Sequence, residues 1–316
     1  MTATTTPTLT TPQRSALGRG LGWAVLSSAA FGASGPMAKA LLDTGWSPAA
    51  VVLVRILGAL LVLLIPCLAQ LRRNGLPTRS ESVRMVAYGV VAVAMAQLCY
   101  FSAVQYLSVG IALLLEYLAP VLLIGWHWWR RQQRPAGVVF VGAAIAMTGM
   151  VFVLDLSSGV VLNPIGVLWG LGAAVCLCGY FVLAENVADA RPIPPLLMTT
   201  AGTGVGSIVI ALAGALGFVP MAFSADPAVV AGATVPWWLP IGSLVLVSGV
   251  AAYLTGVVAV RRLGSSIASF VSLSEVIFAV VFAIILLGQQ PSLSQLVGGA
   301  LVLVGIATVQ SSSRHG

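Results

Sequence analysis

Three ionisable residues lie deep inside apolar runs of this chain: Arg55, Glu116 and Glu275. Each costs roughly 2.5–3.5 kcal/mol to place in hydrocarbon unless it is paired or hydrated, so its presence asks for a reason. Arg55 and Glu116 fall about eight and seven residues from the same side of their runs. At 1.5 Å per residue both sit roughly 10–12 Å deep, so they could meet. They could form a fixed ion pair, or they could bind a charged solute and exchange partners with it. Glu275 has no base at its depth, which leaves a proton or solute site, or a protonated carboxyl hydrogen-bonded to a neighbour. Ser266, Ser269, Ser272 and Glu275 recur every three residues, a polar stripe that could line a cavity, although serines alone often serve as helix-packing contacts in membranes. Glu116, Pro120 and His127 share one helix face, and Pro120 frees the carbonyl of Glu116. Glu116, Glu275 and His127 could relay protons. His127, however, stands among Trp126, Trp128 and Trp129, where an interfacial aromatic belt accounts for it better than a relay does. Tyr100, Tyr117, Tyr180 and Tyr253 could meet a solute with ring face or hydroxyl, or simply pack.

Other chemistries are excluded by what is missing. Four cysteines, Cys67, Cys99, Cys176 and Cys178, fall inside apolar runs and suggest neither a disulfide framework nor a metal site. The sole lysine, Lys39, has no glycine-rich run before it, so there is no phosphate loop. No cofactor, metal or enzymatic nucleophile–base set is expected. A membrane enzyme or a non-transporting subunit remains only as a remote alternative.

The elements that position these residues follow from composition. Apolar residues make up 59% of the chain and charged residues 7%, too few charges to cover a water-facing surface. Lipid must be the solvent. Hydropathy resolves ten stretches of spanning length, near 20–42, 48–69, 83–105, 109–129, 137–154, 164–186, 195–217, 237–260, 266–288 and 293–310. Before them, residues 1–18 read as a disordered tail, and 311–316 as a second tail. Arg14 and Arg19 before an apolar run, with Ala38-Lys39-Ala40 beyond, loosely resemble a signal peptide, but Lys39 and Pro36 argue against cleavage.

With the N-terminus inside, Arg14, Arg19, Arg72, Arg73, Arg79, Arg84, Arg130, Arg131, Arg134, Arg191, Arg261, Arg262 and Arg314 all fall on the inner side. That placement obeys the positive-inside rule at every loop and puts both termini in the cytoplasm. It also refutes a nucleic-acid reading of the net charge of +7.

The chain also contains itself twice. Residues 96–150 laid over 252–306 without a gap match at thirteen positions, among them Gln133, Pro135, Gly142 and Gly149. A weaker echo at an offset of 144 pairs Gly22, Ala29, Ala30, Gly35 and Ala40 with Gly166, Ala173, Ala174, Gly179 and Ala184. The 12 residues by which the two offsets differ fall in the connection after the second segment of each half, around Arg72–Glu81 against Val219–Trp237. Five spans per half is an odd number, so the expected fold is an all-α integral membrane protein of two inverted five-helix repeats, 19–158 and 159–310. Such repeats enclose a site at their interface in many secondary transporters. Gly142/Gly149, Gly298/Gly305 and Gly202/Gly206 permit close helix approach, within one chain or in a homodimer.

The chain resembles the EamA family of the drug/metabolite transporter superfamily from about residue 20 to 310. The run Val109-Gly-Ile-Ala-Leu-Leu-Leu-Glu-Tyr-Leu-Ala-Pro120 is similar to that of the threonine/homoserine exporter branch, and Arg55 matches an arginine common in the second span. Arg261-Arg-Leu-Gly, Ser274-Glu275-Val276, Leu287-Gly288-Gln289 and Gln295-Leu-Val-Gly-Gly resemble the closing signature. Two positions depart: Glu-Pro of the family is Glu275-Val276 here, and Leu-Gly-Glu is Leu287-Gly288-Gln289, which puts a kink and an outer acid in doubt. The resemblance implies a cavity lined by spans 1, 3, 4, 6, 8 and 9 and export of small polar metabolites, often amino acids. Drugs, nucleotide sugars or lipid-linked sugars are alternative cargoes. Arginine outnumbers lysine fourteen to one, which points to a GC-rich bacterial genome and an inner-membrane location.

Overall fold

The computed structural model describes residues 11–74, 77–131, 137–153, 163–185 and 193–313. The turn Gln133–Pro135, Arg134, Asp155, Arg191 and Arg314 lie outside them, as do the side chains of His127 and Ser266.

The helices run in chain order as α1 (Thr11–Gly32), α2 (Ser34–Leu42), α3 (Pro48–Asn74), α4 (Arg79–Tyr88), α5 (Ala96–Tyr106), α6 (Val109–Glu116), α7 (Ala119–Arg131), α8 (Gly137–Val153) and α9 (Pro164–Ala184). They continue as α10 (Pro195–Ala215), α11 (Trp238–Ser243), α12 (Ala252–Val271), α13 (Ser274–Leu287) and α14 (Leu293–Ser313). Two wider π-helical stretches, Gly89–Met95 and Leu244–Ala251, lead into α5 and α12. Among the described residues, seven helical stretches are long and apolar enough to cross a membrane. Their outer flanks expose large apolar side chains such as Leu61, Ile65 and Leu168, which only lipid accommodates at low cost.

The membrane-spanning elements are all helical, and a short β-hairpin is added in a loop: Ala228–Val230 (β1) and Ala233–Val235 (β2) pair antiparallel within the 12-residue excess of the second half. Ala231 and Gly232 both take positive φ, as a tight hairpin turn demands. The Ala231 N–H donates to the Leu286 carbonyl at 2.7 Å, fastening the hairpin over the end of α13. The tail is also shorter than its composition suggests, because α1 begins at Thr11 with Pro12 in its first turn, where a missing N–H does no harm.

Contacts between loops define the two ends of the bundle. At one end the Ser47 N–H donates to the Ala222 carbonyl at 3.0 Å, and the Trp46 ring packs on Phe223 and Trp237. At the other, Arg84 Nε donates to the Leu183 carbonyl at 3.0 Å, and Arg261 donates to the Ile193 carbonyl. There too the Ser265 N–H and hydroxyl donate to the Glu185 carboxylate at 3.2 and 2.9 Å.

The helices are broken where the sequence removes backbone partners. A proline ring clashes with the carbonyl four residues back. Accordingly α1 stops at Gly32 ahead of Pro36, and α6 stops at Glu116 ahead of Pro120. A third break, at Ser272–Leu273, survives without a proline at Val276. Here the Ser272 hydroxyl donates to the Ser269 carbonyl at 2.8 Å and that of Ser274 to the Val271 carbonyl at 2.7 Å, so serine side chains serve the orphaned acceptors. The stripe Ser266–Glu275 therefore spans two helices rather than one face.

Three of these interruptions carry the duplication. Gly89–Met95 recurs as Leu244–Ala251, Leu107–Ser108 as Leu263–Gly264, and Tyr117–Leu118 as Ser272–Leu273, all at the 156-residue offset to within one residue. Gly264 has φ 80° and ψ 160°, a region that glycine alone occupies comfortably. Gly264→Ala should cost about 1–3 kcal/mol; a thermal transition in detergent that does not fall would contradict this.

The glycine pairs serve packing inside the chain. Gly142 and Gly149 on α8 and Gly298 and Gly305 on α14 are all buried, and α8 and α14 lie along each other more extensively than any other two helices. A side chain at Gly202 would meet the Tyr88 ring at 2.7 Å, and one at Gly206 would meet Val93 and Ile56.

Candidate functional site

Arg55 is among the most buried residues, with 1% of its surface exposed. Its Nη1 donates to Ser34 Oγ at 2.7 Å and to the Gln97 side-chain carbonyl, and its Nη2 donates to the Ser248 backbone carbonyl at 2.6 Å. Phe31 and Phe101 hold its guanidinium at 6.0 and 5.6 Å from their ring centroids. Its Nε has no hydrogen-bond partner among the described residues. All the acceptors are neutral, so hydrogen bonds and ring faces stabilise this charge without a carboxylate.

Arg55 and Glu116, which by depth could meet, form no direct ion pair. Among the described residues the ion pair within 4 Å is Lys39–Asp43, one turn apart on α2 and its cap. The reason is local: α2, restarted after the break at Ala33, brings Ser34 to the guanidinium, and the π-helical stretch brings the Ser248 carbonyl.

That stretch has a partner. A π-helical turn leaves carbonyls without their usual donors. Ser248 accepts from Arg55, and Ala92, its equivalent 156 residues earlier, accepts from the Tyr253 hydroxyl at 3.3 Å. Gln97 Nε2 also meets the Tyr253 hydroxyl, at 3.0 Å, and these two positions are themselves 156 apart. Equivalent residues of the two halves thus touch, as they do near a pseudo-two-fold axis. Ser248 Oγ donates to the Ala30 carbonyl at 2.8 Å and completes the network.

Beside this network lies a cavity of about 50 Å³. Ser34 and Gln97 form part of its wall, so Arg55 stands one residue behind the surface. Glu116, Glu275, Tyr100, Tyr117, Tyr180 and Tyr253 line it as well. A second cavity of about 40 Å³ lies between α1, α9 and α12, bordered by Gly256, Ala259 and Ser272. Phe31, Tyr117, Leu177, Tyr180 and Glu275 line both and form the partition between them. Each has room for a few water molecules only.

The two acids are held differently. Glu275 opens α13 just past the Ser272–Leu273 break and accepts from the Tyr117 hydroxyl at 2.7 Å. Glu116 closes α6, is 9% exposed, and has no hydrogen-bond partner among the described residues. Ser272 lines the second cavity, whereas Ser269 is buried at the α12 packing surface and lines neither. His127 belongs to α7, and its side chain is outside the described residues.

Sequence reasoning missed Ser34, Gln97, Ser248 and Phe31. The Gln97–Tyr253 pair was within reach, because both occupy one column of the duplication, but identity matching skips columns whose two residues differ. The role of the Ser248 and Ala92 carbonyls had no side-chain signal.

With this geometry in place, comparison with known proteins adds a family. The sequence matches the EamA-like transporter family twice, over residues 18–155 and 164–310. It is 22% identical over 232 residues to the uncharacterized transporter YwfM of Bacillus subtilis (strain 168), covering 73% of this chain and 74% of that protein. A solved crystal structure with 20% sequence identity superposes with a TM-score of 0.63, covering 95% of this chain and 99% of its own, which shows a shared fold. Two family matches in tandem, together spanning nearly the whole chain and all the cavity-lining helices, leave no ambiguity about its class: the chain belongs to the EamA-like family of the drug/metabolite transporter superfamily and is a membrane transporter.

Proposed function

We propose that the protein exports small polar metabolites, amino acids or amino-acid-like compounds, by alternating access around the central cavity. The observation that carries this reading is the division of charge around one enclosed space. One part of the wall, at Ser34 and Gln97, is backed by a guanidinium with neutral partners only. Another carries the carboxyl groups of Glu116 and Glu275. A zwitterion complements both, its carboxylate drawn toward Arg55 and its ammonium toward the acids. Tyr100, Tyr117, Tyr180 and Tyr253 would close around its carbon skeleton, with Ser272 on the path toward the arginine-rich end and Ser269 behind it in the packing of α12.

In this reading the ten apolar stretches are ten spans in two inverted halves, 19–158 and 159–310, with both termini in the cytoplasm of a bacterial inner membrane. Recurrence of the helix interruptions at the 156-residue offset supports two like halves, and contact between Gln97 and Tyr253 supports a site at their shared axis. The likeness of Val109–Pro120 to the threonine/homoserine exporter branch favours amino acids over nucleotide sugars or lipid-linked sugars. The two small cavities on either side of the aromatic partition fit a closed intermediate, with entry requiring the partition to part. Glu116 and Glu275, with His127 nearer the arginine-rich end, would carry any coupled proton.

Flux into proteoliposomes across a panel of amino acids, nucleotide sugars and cationic drugs, with and without a pH gradient, tests the proposal. Saturable flux of one or more amino acids is expected. Flux confined to nucleotide sugars or drugs would replace the substrate class while keeping the fold.

A further inference from the structure

A second, much larger space lies on the flank of the bundle. A cleft of about 690 Å³ opens between α6, α13 and α14 and does not include the acids or Arg55. Its floor is Ile111, Leu114 and Val276, each 7% exposed or less. Two glycines make the space. A Cβ at Gly299 would meet nothing within 4 Å, and one at Gly110 would meet only Val280, at 3.9 Å. Elsewhere on these helices packing is close: the paired α8 and α14 lie along each other, while α13 is held by α1, α2 and α6. The cleft is therefore a seam that α14 leaves open.

Its chemistry is graded along one direction. The walls on α6 and α13 are aliphatic, and among the described residues no charged side chain lines it. Polar groups gather at one end, where Ser108, Asn163, Gln289 and Gln290 come from the loops. Asn163 Oδ1 accepts from the Ile165 N–H at 2.9 Å, so its Nδ2 is the end of that side chain able to donate to an occupant. Both α6 and α13 belong to membrane-crossing stretches, so the cleft has hydrocarbon at its flank and the interface at its polar end.

We infer that this cleft is a phospholipid site: one acyl chain lies along the aliphatic walls, and the glycerol-ester carbonyls accept from the Asn and Gln amides at the rim. A neutral, donor-rich rim suits ester carbonyls, whereas a headgroup phosphate would call for arginine or lysine. A void on the lipid-facing flank loses dispersion contacts on every wall, and a flexible chain is the occupant that the surroundings supply without limit. The inference does not rest on the proposed cargo.

The test uses the full chain in nanodiscs doped with a phospholipid whose acyl chain bears a photoreactive diazirine, with labelled residues located by mass spectrometry. Ile65, 77% exposed on α3, reports contact with bulk lipid. Ile111 and Leu114 are buried, so only an occupant of the cleft reaches them. Label at these floor residues is expected in the unmodified protein, and it should fall several-fold in Gly299→Trp, whose side chain projects into the cleft and obstructs it, while label at Ile65 persists. Gly110→Leu provides a second way to narrow it. A floor left unlabelled while Ile65 is labelled would overturn the inference. So would floor label from a water-soluble diazirine alone, or a protein–protein cross-link through α14 that showed a second copy seated there. Failure of the amino-acid flux assay would leave the labelling pattern unchanged.

Discussion

Arg55→Ala abolishes transport and lowers stability by at least about 3 kcal/mol, taking about 1–3 kcal/mol for each buried acceptor stripped of its donor. Three are stripped together: Ser34 Oγ, the Gln97 carbonyl and the Ser248 carbonyl. An opposing effect exists, because deleting a buried cation also removes its desolvation cost. The losses outweigh it here, since both Nη atoms are hydrogen-bonded and two ring faces add about 2 kcal/mol of desolvated cation–π attraction. Arg55→Lys separates charge from geometry. It keeps the cation but cannot present a planar fork to acceptors on α2, α5 and the π-helical stretch, so it should fold better than Arg55→Ala and still transport poorly. Denaturation in detergent alongside flux reads both effects. If Arg55→Ala unfolds at the same point as the unmodified protein, the network is not the keystone described here.

The buried arginine also shows how far sequence reading reaches. Its depth and cost were legible, because a charge inside an apolar run is rare enough to demand a role. Its partners were not. Depth counting set Arg55 beside Glu116, but depth fixes only one coordinate, and the azimuth of each helix is decided by packing. The breaks were half legible. Prolines mark two of them, at Pro36 and Pro120, while the absence of proline at Val276 put a kink in doubt that the structure nevertheless contains. Serines at 272 and 274 do locally what the ring does elsewhere, by giving carbonyls another donor. The duplication was plain in the residues, yet its structural content lies in backbone irregularities that no residue type encodes. Two π-helical stretches, 156 residues apart, each offer a carbonyl to the central network. The halves differ in what takes that carbonyl: an arginine in one, a tyrosine hydroxyl in the other. A one-sided guanidinium in a two-fold frame gives the cavity a direction.

Glu116→Gln eliminates net flux without altering membrane levels or stability. The substitution is isosteric, and the Glu116 carboxyl has no hydrogen bond among the described residues to lose, so the fold has no stake in its charge. Relief of an unpaired buried charge could even stabilise the protein. Glu275 offers the contrast. Glu275→Ala leaves the Tyr117 hydroxyl without its acceptor and should destabilise by about 1–3 kcal/mol, whereas Glu275→Gln keeps an oxygen for that bond. Unchanged flux in Glu116→Gln would remove the residue from the site altogether. A loss of flux divides further, because a glutamine imitates a protonated carboxyl. If Glu116 carries the coupling proton, substrate-for-substrate counterflow should survive in Glu116→Gln while stimulation by a pH gradient disappears. If it holds the substrate ammonium, counterflow should fail along with net flux, because the bound state itself has lost its counter-charge. Arg55, with every Nη ligand neutral, can orient an anionic group in either case, so the choice between the two mechanisms rests on Glu116, whose carboxyl has no hydrogen-bond partner among the described residues.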